Sequence, residues 1–257
     1  MNTITDTAEL AMQSTNLFKR VTVLLYGVFA YAIGCMGLFW LILGSGEIAP
    51  VGLSEWQASN TLLAVLTNTG LIVLFGVQHS VMARPWFKRQ LVKIIPQSAE
   101  RATFMLMSGI ATMSAIYFWQ DIPGTIWVVE STFAQVVLWS LYTFGWIYLL
   151  LSTFVTNHFE LMGLRQVYLY FRNQPYKPLP FTRKFMYRYS RHPMMLGVMI
   201  GLWAIPMMTV THFIMSTLFT IYVVIGIYFE EKDLIKDFGE VYQQYKKEIA
   251  TFVPGMY

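Results

Sequence analysis

Two groups of residues in the last third of the chain have the types and the spacing to bind a charged ligand. Arg191, His192 and Pro193 precede a long apolar run, and Glu230 and Glu231 follow it. Proline suits the first turn of a helix, because an N–H at that position would have no helical partner. The start of such a helix presents free N–H groups to an anion, and Arg191 adds a forked cation that matches a carboxylate. We therefore predict a site for a ligand that carries both an anion and a cation.

This site requires the apolar run 194–229 to double back on itself. One continuous helix of that length would extend about 54 Å, whereas the hydrocarbon core of a bilayer is about 30 Å thick. Pro206 and the polar residues after it interrupt the run. We predict two helices, at 194–205 and 212–229, which return both charged groups to the same face of the membrane.

S-adenosylmethionine has the features that such a site would bind: a carboxylate, an ammonium and a sulfonium. Neighbouring residues on a helix project about 100° apart. One of the two glutamates should therefore face the ligand, while the other pairs with a cytoplasmic cation, such as Arg188 or a neighbour of Lys232. A solvated helix end is the alternative for the pair. Tyrosines and a glycine nearby could contact the ligand, anchor at headgroups or pack against helices. The predicted cofactor-binding set is Arg191, His192, Pro193, Gly197, Tyr187, Tyr189, Glu230, Glu231 and Tyr242.

The composition is that of a membrane protein. Of the 257 residues, 56% are hydrophobic and 12% are charged, against about 25% charged in soluble domains. We predict an all-α, polytopic membrane helix bundle that forms a single domain. The net charge of +4 favours anionic lipid headgroups over nucleic acid, for which no motif is present. The single cysteine, Cys35, excludes an internal disulfide and is expected to pack as a small hydrophobe.

Four apolar stretches ahead of the hairpin are long enough to span a membrane. They are predicted as helices at about 21–43, 60–77, 102–119 and 133–154. The segment that follows is too charged to span, and 167–171 within it is expected to lie at headgroup depth as a short amphipathic helix. The predicted domain comprises a polar tail at 1–18, four transmembrane helices at 19–154, an interfacial segment at 155–190, the cofactor-binding hairpin at 191–231 and a polar tail at 232–257.

The distribution of basic residues predicts the orientation. With the N-terminus in the cytoplasm, all 18 Lys and Arg residues fall on the cytoplasmic side of this topology. The three connections on the other side, 44–59, 120–132 and 206–211, contain none. Because cytoplasmic loops carry an excess of Lys and Arg, both termini are expected in the cytoplasm.

The C-terminal third resembles the signature of integral-membrane methyltransferases, a group that includes isoprenylcysteine carboxyl methyltransferase and the phospholipid N-methyltransferases. Met195 stands where that signature has a tyrosine, and membrane sterol reductases, which bind a nicotinamide, share a related C-terminal plan. The residues that carry the resemblance are Arg191-His192-Pro193, Gly197, Glu230-Glu231, Phe238-Gly239, Tyr242, Tyr245 and Phe252-Val253-Pro254.

Two upstream stretches are similar to the bacterial methanethiol S-methyltransferase family. They are 75–80 with Arg84-Pro85, and 157–161 with 163–166. This resemblance implies a multi-pass enzyme of the bacterial inner membrane that uses S-adenosylmethionine to methylate methanethiol, a small volatile thiol, to dimethyl sulfide. Its active site is expected to face the cytoplasm.

Polar residues at the predicted cytoplasmic ends of the helices are the candidates for catalysis. A thiol reacts as its thiolate, so a base or a positive field should assist. His79 or His158 could take the proton, while Arg84 or Arg165 could stabilise the thiolate or hold Glu160. Each of these residues could instead cap a helix or anchor at headgroups. His212 is expected to be structural on the far side, and the spacing of the four histidines predicts no metal site.

Other functions remain open at this point. Methylation of a prenylcysteine carboxylate or a lipid amine is the nearest alternative, and a nicotinamide-dependent membrane reductase is a second. A small membrane transporter or an assembly factor is the non-enzymatic alternative. Membrane lipid is an expected partner, and the oligomeric state is not predicted.

Overall fold

The computed structural model describes residues 16–48, 52–53, 56–57 and 59–253. Most of the predicted N-terminal tail and Pro254 of the C-terminal signature lie outside these residues. The helices of the described part are α1 Leu17–Ser45, α2 Thr61–Ala83, α3 Pro85–Leu91, α4 Glu100–Tyr117, α5 Thr132–Val155, α6 His158–Leu161, α7 Leu164–Phe171, α8 Pro193–Trp203, α9 Val210–Phe238 and α10 Glu240–Glu248. Its strands are β1 Trp56–Gln57, β2 Gln120–Asp121, β3 Thr125–Val128 and β4 Met207–Thr209.

Four helices, α1, α2, α5 and α9, are long and apolar enough to cross a membrane. The chain is therefore a multi-pass membrane protein, and the prediction of an all-α polytopic bundle is confirmed. We also predicted a span at 102–119, but α4 is less apolar and is not among these four, since it begins with Glu100 and Arg101. It packs against α1 and α2, which explains how it accommodates polar side chains.

Two helices continue beyond their predicted ends. α2 extends to Ala83, so His79 lies inside the helix and not after it. α9 extends to Phe238 and stops where Gly239 adopts a φ of +55°. The glutamate pair therefore lies within α9, and part of the predicted polar tail forms α10. Lys and Glu residues are good helix formers, which allows α9 to continue past its apolar part.

The three connections that lack Lys and Arg meet at one end of the bundle. β1 pairs with β2 in parallel, and β3 pairs with β4 antiparallel. Just after β4, the hydroxyl of Thr211 donates to the carboxylate of Asp121 at 2.6 Å. His212 is buried beside it and bonds through Nε2 to the carbonyl oxygen of Leu202 at 2.7 Å. The turn of the hairpin thus lies beside the connections before α2 and α5, as the predicted topology requires.

Glycines allow two pairs of helices to approach closely. A Cβ on Gly109 of α4 would lie 2.5 Å from the carbonyl oxygen of Ile33 on α1. A Cβ on Gly197 of α8 would lie 2.6 Å from the carbonyl oxygen of Gly145 on α5. These distances are shorter than any van der Waals contact, so a side chain at either position would separate the helices.

Gly109→Ala should therefore destabilise the protein by about 1–3 kcal/mol, the usual cost of overpacking. Each kcal/mol corresponds to about 2–4 °C of unfolding temperature in a chain of this size, which a thermal scan in detergent can measure. Gly226→Ala on α9 is the matched control, because no described atom outside the adjacent part of its own helix lies within 4 Å of the position that a Cβ would take there. Equal unfolding temperatures for the two variants would contradict the close contact between α1 and α4.

Candidate active site

The two ends of the predicted hairpin meet at the end of the bundle away from the strands. His192 immediately precedes α8, and its Nε2 lies 3.2 Å from Oε1 of Glu231 on α9. The Nε of Arg191 donates to the same carboxylate oxygen at 2.8 Å. Pro193 occupies the first turn of α8. The prediction that the apolar run doubles back is thereby confirmed.

The side chain of Arg191 hydrogen-bonds to the C-terminal segment of the chain. Its Nη1 donates to the carbonyl oxygens of Lys246, at 3.0 Å, and of Ile249, and its Nη2 donates to Oγ1 of Thr251 at 2.8 Å. Its side chain is buried against Glu231. We expected this guanidinium to hold the carboxylate of a ligand, but the structure gives it a carboxylate and carbonyl oxygens of the protein. Sequence spacing could not show this, because the partners come from the last turn of α10 and the residues after it.

The two glutamates have different surroundings, as the helix geometry predicted. Glu231 is buried and pairs with Arg191, His192 and Lys246, whose Nζ lies 2.5 Å from Oε2. Lys246 and Arg191, not Arg188, are thus its cationic partners. Glu230 keeps 42% of its side-chain surface accessible, and its Oε2 lies 3.7 Å from Nδ1 of His192. Glu230 is therefore the glutamate that a ligand can reach.

Arg101 is the site residue that the sequence analysis missed. It lies at the start of α4, and its charge interacts with the carboxylates of Glu160 and Glu230, which belong to different parts of the chain. In sequence it is only the last member of a basic stretch that includes Arg84. Its position, as a cation where a mostly apolar helix begins, is the signal that could have identified it.

His79 faces the interior of the bundle from α2. Its Nδ1 lies 3.0 Å from the hydroxyl of Ser108 on α4. Its ring centroid lies 4.6 Å from that of Phe104 and 6.4 Å from that of Tyr222 on α9. The charge of Arg101 also acts on it. The structure thus places His79 on the same side of the hairpin as Arg101 and Glu230.

His158 has protein partners for both ring nitrogens. Its Nε2 lies 3.0 Å from the hydroxyl of Tyr31, and its Nδ1 lies 2.8 Å from Oγ1 of Thr153. The ring stacks on Phe154, with centroids 4.5 Å apart, and burial lowers its pKa. It borders a cavity of about 480 Å³ at the end of α5. These contacts favour a structural role for His158, and we do not assign the proton transfer to it.

Glu160 is held by Arg165, as one of the predictions for these residues stated. Nη1 of Arg165 donates to Oε2 of Glu160 at 2.7 Å, and the hydroxyl of Tyr176 donates to Oε1. Burial and the hydrogen bond to Glu160 raise the pKa of Tyr176 to about 12. Arg84 instead pairs with Asp233 at 2.8 Å. Glu160, which Arg165 holds, therefore interacts electrostatically with Arg101 at the edge of the site. Arg84 instead links the end of α2 to α9.

The remaining candidate residues for donor binding differ in how deeply they are buried. Tyr242 is 1% exposed, and its hydroxyl has no hydrogen-bond partner within the described residues, although the charges of Glu231, Glu230 and Arg191 act on it. Tyr187 is buried and interacts electrostatically with Glu230. Tyr189 is 65% exposed and lies outside this group of charged residues. Gly197 lies in the contact with α5, so helix packing accounts for it.

Comparison with known proteins identifies relatives along most of the chain. A family model described as "NnrU protein" matches residues 65–255. Methanethiol S-methyltransferase of Crocosphaera subtropica is 39% identical over 242 residues, which cover 94% of this chain and 95% of that protein. The protein of the same name from Mycobacterium tuberculosis is 38% identical over 237 residues, which cover 92% of this chain and 97% of that protein. Nurim of Xenopus laevis is 28% identical over 165 residues, 60% of this chain and 57% of its own. No solved structure matches.

Proposed function

Because the chain belongs to the NnrU protein family and matches methanethiol S-methyltransferases along nearly their whole length, we propose that it methylates methanethiol to dimethyl sulfide. The methyl donor in this proposal is S-adenosylmethionine. The observation that carries it is the accessible Glu230 carboxylate beside His192, at the point where the two ends of the hairpin meet. A carboxylate in this position can bind the ammonium or the sulfonium of the donor.

The residues present fit such a donor. Glu230 is accessible, and the buried hydroxyl of Tyr242 has no hydrogen-bond partner among the residues that the structure describes, so both groups are available to a ligand. Buried polar groups are rarely left without partners, so the Tyr242 hydroxyl is consistent with a bound polar ligand. Glu231 contacts Nε2 of His192 and is itself held by Arg191, so the ion pair helps to fix the position of the His192 ring. We assign donor binding to Glu230, His192, Tyr242 and Tyr187.

In the proposed reaction the donor supplies the methyl group, while residues of the chain stabilise charge and accept the proton. When bound, S-adenosylmethionine supplies an electrophilic methyl group on a positively charged sulfur. Glu230 stabilises that positive charge. His79 accepts the proton of the thiol, because its Nε2 has no hydrogen-bond partner within the described residues.

We place this site at the cytoplasmic face of the inner membrane. The support is that every Lys and Arg falls on one side of the predicted topology. A soluble donor then enters from the cytoplasm, while a small apolar thiol reaches the bundle from the lipid.

Two measurements on the purified protein in detergent test the proposal. Calorimetry should show saturable binding of S-adenosylhomocysteine, the demethylated donor. Gas chromatography of the headspace should detect dimethyl sulfide when S-adenosylmethionine and methanethiol are both present, and none when either is omitted. A folded protein that binds no donor product and forms no dimethyl sulfide would overturn the assignment.

His79→Gln should lower kcat about tenfold near pH 7 and leave the affinity for S-adenosylhomocysteine unchanged. The effect is limited because a thiol ionises in part without a base, as free cysteine does with a pKa of about 8.5. Activity of the variant should recover in part at high pH. Asn157→Ala, which removes a helix cap on the same face of the bundle, is the control for a general loss of structure. A kcat equal to that of the wild-type protein would remove His79 from the mechanism.

A further inference from the structure

Arg101 presents hydrogen-bond donors that the protein does not use. Its Nε donates to the carbonyl oxygen of Leu161 at 2.7 Å. Its Nη1 and Nη2 make no hydrogen bond or ion pair with any residue that the structure describes. A guanidinium has five N–H donors and stays charged in proteins. Most of the donors of Arg101 are therefore available to a ligand, and its charge is permanent.

Titratable groups from five parts of the chain face this guanidinium. Burial lowers the pKa of Arg101, and the neighbouring carboxylates act in the opposite direction. None of these carboxylates forms a close ion pair with it. The groups are Glu100 on α4, Glu160 on α6, Tyr176 after α7, Glu230 on α9 and His79 on α2. Arg101 thus interacts electrostatically with both the proposed base and the glutamate proposed to bind the donor.

The side of Arg101 that faces the bundle is aromatic. Its guanidinium carbon lies 4.7 Å from the centroid of the Phe104 ring, and the imidazole of His79 lies 4.6 Å from the same ring. Tyr222 faces His79 from α9. A cation beside an aromatic ring suits a small anion with an apolar substituent, and sulfur in particular makes favourable contacts with aromatic rings.

We propose that Arg101 binds the sulfur of the acceptor as a thiolate and thereby selects a small, ionisable thiol. The inference rests on the proposed methyl transfer and adds the residue that binds the acceptor. The thiol of free cysteine has a pKa of about 8.5, and an alkanethiol, which lacks an ammonium group, is a weaker acid. A positive charge within hydrogen-bonding distance lowers the pKa of an acid by about 1–3. Binding beside Arg101 therefore raises the fraction of thiolate at neutral pH about tenfold or more.

The step balances without a further reactant. The thiol proton passes to Nε2 of His79 and from there to water. The thiolate sulfur uses a lone pair to form the new S–C bond, while the S–C bond of the donor sulfonium breaks. Its electron pair remains on the donor sulfur, which becomes a neutral thioether. Glu230 and Arg101 lie within electrostatic range of each other, as neighbouring subsites for a sulfonium and a thiolate would.

The test compares methyl transfer by the wild-type protein, Arg101→Met and Arg101→Lys across a range of pH. Methionine keeps an apolar side chain against Phe104 and removes the charge. We expect Arg101→Met to raise KM for methanethiol about tenfold or more at pH 7, and to move the rise in kcat/KM to a pH higher by about one to three pH units. Arg101→Lys should lie between the two. The affinity for S-adenosylhomocysteine, measured by calorimetry, should change less than about threefold, which corresponds to about 0.65 kcal/mol, because Arg101 does not bind the donor.

Arg172→Met removes an exposed arginine from the end of α7 and should leave both profiles unchanged. An unshifted pH profile for Arg101→Met would overturn the inference, whether or not the rate falls. So would loss of donor affinity with an unchanged KM for methanethiol, which would move Arg101 to the donor subsite. Failure of the proposed function would appear in the wild-type protein itself, as an absence of dimethyl sulfide.

Discussion

Glu230→Gln should weaken the binding of a cationic donor analogue such as sinefungin about 30-fold and lower methyl transfer by at least as much. Removing one partner of a buried charge interaction costs about 2–5 kcal/mol. The lower end applies here, because 42% of the Glu230 side chain is accessible and water screens part of the interaction. Calorimetry with the analogue, and dimethyl sulfide formation at saturating methanethiol, measure the two effects.

Comparing the affinities of Glu230→Gln for two ligands tests whether Glu230 faces the sulfonium or the ammonium of the donor. S-adenosylhomocysteine has an ammonium but no charge at its sulfur, so its affinity should fall less than that of sinefungin if Glu230 faces the sulfonium. Glu240→Gln, an equivalent change at the exposed first turn of α10, should alter neither affinity. If Glu230→Gln binds both ligands as tightly as the wild-type protein does, the assignment of the donor to this glutamate is wrong.

Arg191→Ala should mainly lower the free energy of unfolding, because the guanidinium of Arg191 hydrogen-bonds to other residues of the protein. Breaking a buried ion pair costs about 3–5 kcal/mol, and Lys246 and His192 still face Glu231 in the variant, so the lower end is expected. At about 2–4 °C for each kcal/mol, the unfolding temperature in detergent should fall by roughly 6–12 °C. Loss of donor affinity should follow from the displaced C-terminal segment.

Arg183→Ala is the matched control for this variant, since Arg183 also pairs with a glutamate of the C-terminal segment. Its partner is Glu248, and the two side chains are 39% and 42% exposed. Exposed ion pairs contribute about 0–1 kcal/mol, so this variant should unfold within a few degrees of the wild-type protein. An Arg191→Ala protein as stable as Arg183→Ala would contradict the structural role of Arg191.

Sequence patterns predicted the parts of the fold that depend on the membrane. Length and apolar content identified α1, α2, α5 and α9, and the excess length of the run 194–229 identified the hairpin. The absence of Lys and Arg predicted which connections share an end, where β1 to β4 now pair. These features follow from one-dimensional rules, because the bilayer imposes its thickness and its charge asymmetry on any chain.

The roles of individual polar residues were harder to predict, because they depend on contacts between distant parts of the chain. Arg191 and Glu231 are 40 residues apart, and the other partners of Arg191 lie 55–60 residues away. His158 has the chemistry of a base, but Tyr31 and Thr153 occupy its ring nitrogens in the folded protein. Arg101 was overlooked because its importance comes from Glu230, which the folded bundle brings near it.

The attachment of the C-terminal segment to the start of α8 also has a consequence for biosynthesis. The backbone N–H groups of Arg191 and His192 donate to the carbonyl oxygens of Ala250 and Thr251, at 2.9 and 3.2 Å. Ala250 and Thr251 follow the four membrane-length helices in the chain, so these bonds can form only after all four helices have been synthesised. A truncated protein that ends after α9 would contain the four helices but lack the residues that hold Arg191 beside Glu231. The proposed donor site would thus be assembled last.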